Sequence, residues 1–107
     1  MINAEFVQVG AIIDYKVDNA VGYHEAVVIG DILGVTRKSG KKGDIVACDI
    51  EGVFRIKKKT GEEIKQGKAC YFTTDGITGT KTGAEPKCIS VENATSEQET
   101  ILVKINA

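Results

Sequence analysis

Apolar residues along the chain fall in short runs that alternate with polar ones, and clusters of turn-forming residues separate the runs. Residues 45–50 show the pattern most clearly: Val46, Cys48 and Ile50 point one way, and Ile45, Ala47 and Asp49 the other, as successive side chains of an extended chain do. Runs of this kind predict strands over residues 6–9, 11–17, 26–29, 32–35, 45–50, 53–57, 69–73, 88–92 and 101–105. Between them lie "RKSGKKGD", "KKTGEEIKQG", "TDGITGTKTGAEP" and "NATSEQE", rich in the residues that make turns. No segment keeps an apolar helical period for long. One helical turn is expected around residues 62–66, with Ile64 tucked inward and Gly67 ending it.

Composition sharpens this picture. Isoleucine and valine together number 24, whereas leucine numbers 2. β-branched side chains suit a pleated surface and lose rotamer freedom in a helix, so the imbalance favours strands. The chain of 107 residues is long enough for one domain and too short for two. The expectation is therefore a single all-β domain over residues 1–107, a small β-barrel or sandwich of short, mostly antiparallel strands. At most one short helical turn is expected, and residues 1–5 are a possible flexible arm.

Charge removes several function classes. Fourteen basic and fifteen acidic side chains leave a net charge of −1, so no global attraction to nucleic acid or an anionic membrane is expected. No apolar stretch approaches the roughly 20 residues that span a bilayer. The start, "MINAEFVQVG", has neither the basic residues nor the apolar core of a secretory signal. Synthesis in the cytoplasm and a soluble protein are expected.

The stretch "EGVFRIKKKTGEEIKQG" poses the main question, because three lysines, Lys57, Lys58 and Lys59, follow directly on a strand. Placed before a Thr-Gly turn, they read as the solvated end of that strand. Arg37, Lys38, Lys41 and Lys42 read likewise in the turn before residues 45–50, where charge discourages edge-to-edge pairing. The competing reading is an electrostatic contact with a partner. A nucleic-acid surface usually adds stacking aromatics, and none lies in either basic turn, so a nucleic-acid partner is not favoured. "SGKKGD" and "GDILG" lack the spacing of phosphate-binding loops and read as hairpin turns.

Candidate chemistry is sparse. Cys48, Cys70 and Cys88 lie far apart in strand-like runs, with no C-x-x-C. An odd, scattered set fits neither a disulfide framework nor a zinc site, and buried packing is the expected role. His24 is the only imidazole, and Glu25 beside it points to the opposite face of an extended chain. Glu62 and Glu63 sit in a turn, and Asp14, Asp31, Asp44 and Asp75 have no metal-binding spacing. No catalytic residue, metal ligand or cofactor site is assigned.

An ordered set of motifs adds to this reading. "FVQVGAIIDYKV", "AVVIGDILGV", "GDIVACDIEGVFRIKKKTGEEIKQGKACYF" and a final "ILVKIN" resemble the capsid cement, or head decoration, proteins of tailed bacteriophages and prophages, formerly a domain of unknown function. The most specific part is Gly52-Val53-Phe54, a following lysine, the Thr-Gly turn, and Gly67 ahead of the strand holding Tyr71. Family members often carry a small residue and a glycine ahead of residues 26–29, where this chain has Tyr23-His24-Glu25. Near the end they usually carry a Gly-hydrophobic-Ala element, where it has Lys87-Cys88-Ile89-Ser90. The resemblance implies a non-catalytic virion structural protein on the capsid surface. Its implied partners are the major capsid protein and its own copies in a homodimer or trimer, and residues 1–5 are a candidate arm that orders on the shell. The alternative is a small β-barrel binding module for nucleic acid or saccharide.

Overall fold

The computed structural model describes residues 2–5 and 10–107 and contains nine strands and no helix among them. Residues 12–49 supply β1 (Ile12–Lys16), β2 (Ala26–Ile29), β3 (Ile32–Thr36) and β4 (Ile45–Asp49). Residues 53–105 supply β5 (Val53–Lys57), β6 (Ala69–Thr73), β7 (Gly76–Thr78), β8 (Lys87–Ser90) and β9 (Thr100–Ile105). The two halves of the chain build separate antiparallel sheets, β1-β4-β3-β2 and β5-β9-β8-β6-β7. The all-β expectation holds. The strand expected over residues 6–9 lies outside the described residues.

Two expectations change. β7 falls inside the "TDGITGTKTGAEP" stretch read as a connection, because Ile77 is the single apolar residue of a three-residue strand. The helical turn around residues 62–66 does not form. Ile64 does point inward, but as an extended residue that exchanges two hydrogen bonds with Ala94: its N–H donates to Ala94 O at 3.0 Å, and Ala94 N–H donates to Ile64 O at 2.8 Å. Both side chains are then buried in the core. That distant partner outcompetes the local turn.

The five-stranded sheet curls until its edges meet. Lys58, just past β5, bridges Ile77 of β7, and the Lys59 N–H donates to Ile77 O at 2.9 Å. Gly76 permits this closure. Its φ is 117°, and a Cβ there would lie 2.9 Å from Lys57 O and 3.0 Å from Lys59 N, so both conformation and space demand glycine.

The main core fills the space between the sheets. Leu33 and Val35 of β3 meet Cys70, Ile77, Cys88, Ile101, Val103 and Ile105. The side chains of Ile101, Val103 and Ile105 are fully removed from water, which contributes roughly 1.5–3 kcal/mol each. A smaller cluster on the other face of the first sheet joins Val17, Val46 and Cys48. Val46 and Cys48 thus bury on one face while Ile45 is 60% exposed, as the alternation predicts. Ahead of β2, His24 adopts φ 55°. Glycine takes that conformation freely, and histidine is among the few other residues enriched in it.

Asn106 ties the two sheets together. β3 and β4 pair at Val35↔Asp49 and Thr36↔Cys48 and then separate. Asn106, next after β9, sends its amide into the gap: Oδ1 accepts from Leu33 N–H at 2.9 Å, and Nδ2 donates to Leu33 O at 2.7 Å and Ile50 O at 2.8 Å. The side chain replaces the missing ladder partner of a residue with no exposed surface. Asn106 also sits at φ 55°, a region that asparagine tolerates better than most residues. Replacing Asn106 with Ala should lower stability by about 2–4 kcal/mol, because buried Leu33 groups lose their partners. Asn106→Gly should lose a similar amount even though it relaxes the backbone. Urea unfolding of the three proteins checks both values, and a Gly variant as stable as wild type would show that the amide is dispensable.

Candidate functional site

The three-lysine run does not present three charges to solvent. Lys57 and Lys59 are exposed as expected, whereas Lys58 is fully buried, which corrects its reading as part of a wet strand end. Strand alternation explains this. Phe54 and Ile56 pack against the core, and Lys58 continues the same inward face. Its Nζ donates to Lys59 O at 3.0 Å and to Glu62 O at 2.6 Å, so the Thr-Gly turn wraps round the ammonium. Hydrogen bonds to a charged donor make such burial sustainable. Lys58 therefore shapes the turn and belongs to no surface patch.

The other basic turn is partly neutralised. Arg37 Nε lies 3.8 Å from Asp49 Oδ2, and Asp44 Oδ2 accepts from Lys41 N–H at 3.0 Å. "SGKKGD" joins the antiparallel strands β3 and β4, and "GDILG" turns β2 into β3, both as expected.

The remaining candidates are dispersed. All three thiols are buried, as their strand contexts predict. Cys70 and Cys88 face each other across β6 and β8. Burial, aided by Cys88, pushes the Cys70 thiol up to about 12, and burial pushes Cys88 up to about 11. Burial and then Asp49 raise Cys48. The thiols stay protonated and make poor nucleophiles at neutral pH. His24 lies exposed with its ring stacked on Tyr23, centroids 3.8 Å apart. Its backbone and that of Glu25 are held by buried Thr36, whose O accepts from His24 N–H and whose Oγ1 accepts from Glu25 N–H. Among the described residues, no three His, Cys, Asp or Glu side chains are placed to hold a metal ion.

The structure does gather one recess that sequence reasoning missed. An open groove of about 710 Å³ runs beside β2, walled by Val28, Phe72 and Pro86 and by threonines of β6, β7 and the following loop. Its charged groups are Lys59, Glu62, Asp75 and Glu85. Glu62 accepts from the Thr78 hydroxyl at 2.7 Å. The Thr82 hydroxyl, helped by backbone groups including the Gly83 amide, holds the Glu85 carboxyl below its ordinary range. Three carboxylates against one ammonium give the groove an acidic balance. A second groove of about 450 Å³ lies between β2 and β5, lined by His24, Ala26, Val35, Phe54, Ile56 and Lys57. Both grooves border β2. The only sequence signal for this is the run Ala26-Val27-Val28-Ile29, a strand without a charge.

Among the described residues the geometry offers two grooves and a sheet edge. The family described as phage cement protein matches residues 7–105 of the chain. The chain belongs to the phage cement protein family. Membership covers the span from which the resemblance was drawn and implies association with the phage capsid in the virion. No curated protein and no solved structure is significantly similar to the chain.

Replacing Lys58 with Met keeps the buried stem and removes the ammonium, stranding the carbonyls of Lys59 and Glu62. A loss of about 1–3 kcal/mol is expected, against a change within about 0.5 kcal/mol for the exposed Lys57→Met. Denaturant midpoints of the two variants measure the difference, and equal midpoints would refute the turn-shaping role.

Proposed function

We propose that the protein binds the outer surface of the capsid and stabilises the assembled head without catalysing a reaction. The observation that carries this reading is the family match over residues 7–105. The fold suits the task. A closed sheet braced to a second one deforms little, and many copies on one shell add weak contacts into a strong total. Three buried, protonated thiols and a histidine stacked on a tyrosine favour a structural role over catalysis. The partner in this reading is the major capsid protein. The protein is made in the host cytoplasm, acts on the capsid surface, and works as a homodimer or trimer. Residues 1–5 are the candidate arm that orders on docking; of these, residues 2–5 are exposed and outside any strand.

Purified protein mixed with heads lacking it should co-sediment with them and raise the temperature at which they release their genome. Protein that stays in the supernatant, with heads no more heat-resistant than before, rejects the reading.

A further inference from the structure

β2 differs from every other sheet edge among the described residues. β1 carries Asp14 and Lys16, and β5 carries Arg55 and Lys57. β7 has no charge, but Lys58 and Lys59 close against it. β2 reads Ala-Val-Val-Ile and, among the described residues, has β3 on one side only. Natural proteins place charge, proline or a cover on a free edge to prevent pairing; Ala26–Ile29 contains no charge and no proline, and among the described residues no strand covers its outer side.

The main chain there is ready to pair. Thr36 N–H donates to Glu25 O, so positions 25, 27 and 29 exchange hydrogen bonds with β3, while the N–H and C=O of Ala26 and Val28 point outward. Val28 is 46% exposed and forms a wall of the acidic groove.

We propose that an extended, basic segment of the shell protein adds to β2 as a further strand and lays side chains in the groove beside Val28. This rests on the capsid-binding reading above and names its contact. Outward main-chain groups select an extended peptide, because a strand is what satisfies alternate N–H and C=O groups along an edge. Charge selects the kind of segment: Glu62, Asp75 and Glu85 outnumber Lys59, so lysine or arginine side chains complement the groove while an apolar one meets Val28 and Phe72. The competing occupant is β2 of a second copy. A two-fold pairing of β2 with itself sets the two acidic grooves side by side on one face, so like charges oppose it.

Three variants measured on cement-free heads test the assignment, each first checked for a wild-type urea midpoint. Val28→Lys and the double variant Asp75→Lys, Glu85→Lys should each weaken head binding by about tenfold or more. Ile45→Lys, at a site 60% exposed on β4, should bind as wild type does. Bound wild-type protein should also show two newly slowed amides in the segment 26–29, as main-chain pairing requires and side-chain contact does not. Wild-type affinity in Val28→Lys overturns the inference and leaves the capsid reading standing. So does equal weakening in all three variants, or a change of self-association with head binding intact. Wild-type protein that leaves heads bare overturns the capsid reading itself.

Discussion

Leu33 has its N–H and C=O turned toward a neighbour strand that is no longer there. The two sheets meet because Asn106, from the far end of the chain, supplies what that strand would have given. A buried ladder position without a partner costs free energy comparable to a lost hydrogen bond at each group. Without the amide the first sheet faces that cost at its centre, under the core it shares with β9. Satisfying it fixes the end of β9 against β3 and Ile50. The inter-sheet core forms beside this tie: Leu33 and Val35 share one buried cluster with Val103 and Ile105. A side-chain amide, rather than apolar area alone, sets how the halves of this chain align.

The strands were largely legible because their cause is local. β2, β5 and β6 run where the apolar runs indicate, and Val46 and Cys48 turn inward where Ile45 does not. What could not be read depends on partners far along the chain. Ile64 looked like part of a turn until Ala94 offered it two hydrogen bonds. β7 has one apolar side chain and exists because β6 and the Lys58–Lys59 backbone pair with it on either side. Lys58 misled for a different reason. Lysine is almost never fully buried unless paired, and its partners here are main-chain carbonyls of the next turn, which no residue type announces. Asn106 closes the quoted motif "ILVKIN", yet its role depends on a gap between β3 and β4 that only the folded chain contains.

The family motifs gain physical content from these contacts. In this chain Lys58 and the Thr60-Gly61 turn form one unit, in which the ammonium of Lys58 gathers the carbonyls of Lys59 and Glu62. Gly67, at φ 83°, lets its N–H reach Ser90 O at 2.7 Å as the chain enters β6. Such contacts fix local shape, so they report the fold more directly than any binding surface. The candidate contact instead lies where the sequence is plain, along Ala26–Ile29 and the groove beside it. A braced body whose β2 edge carries no charge and, among the described residues, no covering strand suits the capsid-binding role proposed above.

If the Asn106 amide couples the sheets, they open together. Native-state hydrogen exchange of the Leu33 amide, compared with Val103 of β9 across a denaturant series, measures this directly. The account expects both amides to exchange through the same global opening, with the same free energy and the same denaturant slope. A Leu33 amide that exchanges by a small, denaturant-insensitive opening while Val103 stays protected would contradict it.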